Sequence, residues 1–273
     1  LLKKDGPRPF RAVLTALAEN ASVWVRADIA TQIGKRGGEE AEAALVGALS
    51  DETDPKVLLA IVAALKPFRS DAVFAALKTL LERDALTLQL RGRILTGLGM
   101  TRRSGAKEVI TPYLSWNSWA SVVQAGALTG LAWTEDAEVF DVLAAHTSPD
   151  HNARVRAAAA SAVGVLAEKV ETLRPKAAEV LIAMLKQKGF REVLAAISTL
   201  ARLREQSALS VLRDMHIHAA DGRVRRSAYE AMVRIQRGRS VEKGLDSLRA
   251  RMDALTTENE KLRSRIDKLE PHE

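Results

Sequence analysis

The chain has 273 residues, 47% of them hydrophobic but only 4% aromatic, so its core has to be built from Ala, Leu, Val and Ile, which suits close helix packing. There is no cysteine, which excludes a disulfide framework and a thiolate metal site. The formal net charge is +7, with fourteen Lys/Arg against six Asp/Glu between Arg174 and Arg239; such a field attracts nucleic acid, acidic protein or acidic headgroups, or is only a solvated helical surface.

A ten-residue pattern, V-R-x-x-A-A-x-A-L-G in idealised form, recurs seven times. Its copies are residues 25–34 (VRADIATQIG), 57–66, 90–99, 123–132, 155–164 (VRAAAASAVG), 192–201 and 224–233, at steps of 32, 33, 33, 32, 37 and 32 residues. A period in this range marks a solenoid, in which one supersecondary unit stacks on the next. The expected fold is an all-α, α-α superhelix of about seven helix pairs.

In the first unit Phe10, Val13, Leu14 and Leu17 fall at i, i+3, i+4 and i+7 of an amphipathic helix. A terminal unit normally carries a polar outer face, and residues 1–11 supply no separate cap. These four residues are therefore the candidate face for docking on another domain. In the second unit, residues 39–49 predict a helix apolar on one face, 50–55 (SDETDP) a turn with helix-starting residues, and 56–65 a helix apolar on nearly every side. A helix that is apolar all round is buried between neighbours. The second helices should thus form an inner row and the first helices the other layer. Further first helices are expected at 70–82, 104–114, 135–146, 176–187 and 207–215.

Small residues recur within the motif at Ala30, Ala64, Gly97, Gly130, Ala160, Thr199 and Ala231. A helix-interior glycine costs roughly 1 kcal/mol against alanine, so Gly97 and Gly130 are expected where a side chain would clash. Arg26, Arg91, Arg156 and Arg225 share one motif position, and Asp51, Asp84 and Asn117 share another. Both sets are expected to satisfy helix ends and bridge adjacent units. Trp24, Trp116, Trp119 and Trp133 are read as wedges between units, with a binding ridge as the alternative. Arg202, Arg204, Arg223, Arg226 and Arg237 are the candidate basic surface.

The last segment changes period. Val241, Leu245, Leu248, Met252, Leu255, Asn259, Leu262, Ile266 and Leu269 alternate by four and three, a heptad seam with Asn259 at an a position. Glu258 with Arg263, and Arg265 with Glu270, fall at g and following e positions of opposite charge. The expected domains are a repeat array at 1–238 and a coiled-coil-type helix at 239–270, with pairing to a second copy set against a helix lying on the array.

No catalytic or metal residue is predicted. The chain has no H-E-x-x-H, Walker loop, dinucleotide fingerprint or G-x-S-x-G elbow. His216 and His218 diverge by about two hundred degrees on a helix and cannot readily clasp one metal. No apolar run reaches the roughly 18 residues of a membrane span, and no signal peptide is read, so the expectation is a cytoplasmic chain without a membrane partner.

The motif copies resemble HEAT repeats of the short, HEAT-like kind. The order of VWVRADIATQIG, then SWNSWASVVQAGALTGLA, then DGRVRRSAYEAM running into a charged heptad tail resembles the C-terminal region of bacterial M1-family zinc aminopeptidases over nearly the whole chain. The resemblance implies a non-catalytic helical domain that closes over a catalytic domain and restricts peptide access. The family's zinc motif H-E-x-x-H-x18-E and its G-x-M-E-N motif have no counterpart here, so no cofactor is expected in this chain and zinc only in a catalytic domain outside it. The implied partner is the catalytic aminopeptidase domain of the same polypeptide, with peptide substrate engaged only indirectly. The alternative is a free-standing HEAT-repeat scaffold binding an acidic protein or nucleic acid. Nucleic acid is disfavoured, because aromatics are missing from the basic stretch.

Overall fold

The computed structural model describes residues 7–187 and 189–267. The fold is all-α and HEAT-like, with no strand among the described residues. None of the described helices is long and apolar enough to cross a membrane. The chain divides into two compact units between Thr199 and Leu200.

The first unit is a series of helix pairs. They are α1 (Pro7–Glu19) with α2 (Val23–Arg36), α3 (Glu39–Asp51) with α4 (Pro55–Ala64), and α5 (Asp71–Leu81) with α6 (Leu88–Thr101). There follow α7 (Ala106–Ile110) with α8 (Val122–Trp133), α9 (Phe140–Ala145) with α10 (Ala153–Lys169), and α11 (Arg174–Met184) with α12 (Phe190–Leu203). Helix α2 packs on α4, α4 on α6, α6 on α8 and α8 on α10, while α1 packs on α3 and α3 on α5. The second helices thus form the inner row read from their apolar circumference. The helix expected at 104–114 is split, because Pro112 lacks an amide donor and the chain tightens into a 3-10 turn at Thr111–Ser115.

The inner row is held by side chains removed from water. Val57, Leu58, Ile61 and Val62 of α4 and Leu90, Ile94, Leu95 and Leu98 of α6 are all buried. Each contributes about 1.5–3 kcal/mol relative to exposure. The closest approach in the row is between α6 and α8, and it is made by glycine. A Cβ on Gly99 would overlap the Gly130 backbone, and one on Gly126 would overlap the Gly92 backbone. Thr96 Oγ1 donates across the same seam to the Gly126 carbonyl at 3.3 Å. Gly130 clashes as expected, against the Leu95 carbonyl. At Gly97 a Cβ would meet side-chain ends alone, the Leu77 Cδ1 at 3.2 Å and the Val62 Cγ1 at 3.8 Å, and no backbone.

The turns are organised by caps and arginines. Asp54, Ser70, Thr87 and Asn152 accept hydrogen bonds from the first free amides of α4, α5, α6 and α10, worth about 1 kcal/mol each. Asp51, Asp84 and Asn117, expected to serve helix ends, stand exposed instead; in the second and third pairs capping falls three residues later, on Asp54 and Thr87. Of the motif arginines, Arg26, Arg91 and Arg225 do satisfy helix ends, and Arg156 bridges to side chains instead. Arg26 donates to the Asn20 carbonyl at 2.8 Å and to Glu52 in the next turn at 2.9 Å. Arg83 then donates back to the carbonyls of Glu52, Leu49 and Ser50. Arg91 donates to the carbonyls of Leu81 and Arg83. Arg156 pairs with Gln187 and with Glu192, a carboxylate removed from solvent.

In the second unit the end of α12 leads through a 3-10 turn at Gln206–Ala208 to α13 (Leu209–His218) and α14 (Gly222–Asp267). Helix α13 packs on α14 and buries Leu212, Val224, Ala228, Ala231 and Ile235. Arg225 follows the ladder logic locally, donating to the Ala219 carbonyl at 2.7 Å. Helix α14 has 46 residues and runs without a break. The boundary read at 238/239 therefore falls inside one helix: the tail is the last second helix continued.

Two consequences can be measured. Gly99→Ala should force α6 from α8 and lower unfolding free energy by about 1–3 kcal/mol in urea titration. Gly47→Ala, whose Cβ meets nothing within 4 Å, should leave stability unchanged or raise it by up to about 1 kcal/mol. The second concerns Glu52. Burial alone would raise its pKa, but the Arg26 hydrogen bond, the amides of Asp54 and Thr53 and the Arg26 charge together hold it below its ordinary 4.5. A depressed carboxylate stabilises the fold above its unfolded pKa, and that contribution is lost as pH falls through the folded value. Glu52→Gln should thus be less stable than the parent at pH 7. The gap should close progressively below pH 4.5 in thermal melts.

Candidate functional site

Within the first unit a groove of about 830 Å³ crosses the row of second helices α6, α8, α10 and α12. Its floor is made of small residues, among them Gly92, Ala125, Gly126, Ala157, Ala158 and Ala195. Gly92 and Gly126 are also the residues that bring α6 and α8 together, so the close packing and the smooth floor have one cause. Thr96, Thr129 and Ser161 line it too, but each hydroxyl already donates to the carbonyl four residues back.

The charged groups of this groove have one sign. Arg93, Arg154 and Arg191 line it, all exposed, and no Asp or Glu is among the lining residues. No carboxylate among the described residues pairs with any of the three guanidinium groups. Lys66 stands near Arg93, and burial followed by the Arg93 charge lowers its pKa. The groove end at α6 is therefore electropositive beyond its own lining.

Trp119 stands over the same groove and is 80% exposed. Its position is set by an irregular turn, in which Ala120 and Ser121 take left-handed φ values of 56° and 53°. Such conformations cost L-residues roughly 1–2 kcal/mol each. The turn is tied down by Val123 N–H donating to Ser118 Oγ at 3.2 Å and by Asn152 Nδ2 donating to Ser121 Oγ at 2.8 Å. The reading of the tryptophans as wedges fails for Trp119 and for Trp24, which is 72% exposed under the Lys56 ammonium. Trp116 stacks on Tyr113 at 5.3 Å and also has the Arg91 guanidinium over its ring, and Trp133 is half-buried beside Lys169.

The residues singled out in the sequence are distributed differently. Val13 and Leu17 are buried in the array itself and offer no surface to another domain. Leu14 is half-buried at a cleft of about 560 Å³ between α1 and α3, floored by Ala43, Ala44, Gly47 and Ala48. The Phe10 side chain lies outside the described residues. In the second unit Arg204 and Arg237 line one pocket of about 500 Å³ with Arg234 and Tyr229. Arg223 and Arg226 are instead engaged by Asp221 and Glu230, each at 2.8 Å, and Arg202 is half-buried. The basic stretch of the sequence is thus partly neutralised.

Leu248, Met252, Leu255, Asn259 and Leu262 of the heptad seam are all exposed along α14. The side chains of Val241, Leu245 and Ile266, and all of Leu269, lie outside the described residues. His216 rests against Tyr229 with ring centroids 5.2 Å apart, while His146 and His151 stack at 4.6 Å. Among the described residues no cluster of three or more His, Cys, Asp or Glu is arranged to hold a metal.

Reasoning from sequence missed Arg93, Arg154, Arg191 and the exposure of Trp119. One signal was present: Arg154 and Arg191 occupy the same register, immediately before the first residue of their motif copies. Nothing in the sequence separates them from the paired Arg223 in that same register.

No curated protein matches the chain. A family model described as HEAT repeats matches residues 11–88, which span α1 to the start of α6. Over that stretch the chain is similar to HEAT repeats, in agreement with the stacked helix pairs seen there.

Proposed function

We propose that the chain is a non-catalytic helical-repeat scaffold that joins to a second copy of itself through α14. The observation that carries this is the seam: Leu248, Met252, Leu255 and Leu262 are 46–68% exposed along one helix. A long helix with a solvated apolar stripe at heptad spacing gains by burying it against a like helix. Asn259 within the stripe, together with Glu258 opposite Arg263, favours a parallel pair in one register. Multi-angle light scattering should give twice the chain mass. Leu255→Glu should halve it without loss of helicity, and a parent of single-chain mass overturns the pairing.

A finer reading makes this scaffold the accessory C-terminal domain of an M1-family zinc aminopeptidase, packed on the catalytic domain and restricting peptide access. Its support is the order of the VWVRADIATQIG, SWNSW and DGRVRRSAYEAM segments with the heptad tail behind them. The α1–α3 cleft beside Leu14, with its floor of small side chains, is the place where a segment of the catalytic domain would pack. On this reading the natural-length polypeptide carries H-E-x-x-H outside these residues and hydrolyses aminoacyl-p-nitroanilides in a zinc-dependent manner. A natural-length polypeptide lacking that motif overturns the accessory-domain reading.

A further inference from the structure

The groove across α6, α8, α10 and α12 is independent of both the tail and the α1–α3 cleft. It combines an apolar, nearly flat floor, three exposed guanidinium groups that no described carboxylate neutralises, and an indole held outward by a left-handed turn. We propose that it binds an extended acidic peptide segment, whose carboxylates meet Arg93, Arg154 and Arg191 and one of whose apolar side chains lies against Trp119.

The spacing of the cations favours a peptide. Packed helices stand about 8–10 Å apart, so Arg154 on α10 and Arg191 on α12 are separated by about one such step. Arg93 on α6 lies about two steps from Arg154. An extended chain advances about 3.3 Å per residue. Carboxylates three residues apart would therefore reach Arg154 and Arg191, and one about six residues further along would reach Arg93. The residues between them would lie on alanine and glycine. A small apolar side chain is at no loss there, whereas a charged group without a partner is penalised. A nucleic-acid strand carries a phosphate at every nucleotide and would set several of them on that floor with no cation opposite. Guanidinium groups also suit carboxylates, because their fork of donors can engage both oxygens.

Fluorescence anisotropy on the full chain tests this with three labelled probes. They are a ten-residue Ala-based peptide with Asp at its first, fourth and tenth positions, the same peptide with Asn in place of Asp, and a ten-nucleotide oligothymidylate. The acidic peptide should bind, weaken as salt is raised, and quench Trp119 fluorescence; the Asn peptide should not bind. Arg93→Ala, Arg154→Ala and Arg191→Ala should each weaken binding roughly tenfold, as expected for one charge-assisted contact. Lys78→Ala, on exposed first-layer surface, should leave it unchanged. These substitutions are at exposed positions, and circular dichroism checks that the fold is kept. Binding of the acidic peptide that the arginine variants do not alter overturns the proposal. So does the absence of binding, or an oligonucleotide held more tightly than the peptide and lost in the same variants.

Discussion

The contact between α6 and α8 governs the middle of the first unit. Gly99 against Gly130 and Gly126 against Gly92 let two helices meet backbone to backbone, where a single methyl group would overlap a neighbouring main chain. Glycine inside a helix costs roughly 1 kcal/mol against alanine. Four such residues on two adjacent helices are retained because the contact they permit fixes how one pair sits on the next. The same absence of side chains leaves the floor of the groove flat, and the flanking Arg93 and Arg154 are then the features that stand up from it.

Around that seam the repeats are registered by directional bonds. Arg26, Arg83 and Arg91 take the carbonyls left unpaired where α1, α3 and α5 end, and Arg26 and Arg83 converge on the turn that holds Glu52. An arginine suits this task because its planar fork reaches several acceptors at once and keeps its charge at any relevant pH. The structure therefore contains two classes of arginine. One is consumed in joining units. The other, exemplified by Arg154 and Arg191, projects from the first turns of second helices and has no described acid to meet. Local sequence does not distinguish them, since both classes sit in or beside the same motif.

The second unit shows how a repeat array can end. Helix α14 starts as an ordinary second helix, packed on α13 through Val224, Ala228, Ala231 and Ile235. It then continues with the hydrophobic period changed to the alternation of four and three. There Leu248, Met252, Leu255 and Leu262 face solvent. The tail is a change in what one helix is packed against, and no turn separates its two parts.

The helix pairs, the inner row of second helices and the helical course of the tail were legible in the sequence, because each is a matter of period and period is local. The bounds 39–49 and 56–65 lie within one or two residues of α3 and α4 for that reason. Gly130 was legible as a contact point, since a glycine inside a helix weakens it and is offset where a neighbouring backbone comes too close for a side chain. Which arginines are free, which tryptophans are exposed and which apolar residues of α1 are already used were decided only by the tertiary structure. Val13 and Leu17 look the same as docking residues until α2 and α3 are placed beside them. Arg154 and Arg223 share one register, yet the first faces a groove without carboxylates and the second closes on Asp221 two residues before it. Pairing depends on what a neighbouring turn brings within about 3 Å, and a one-dimensional period carries no information on that distance.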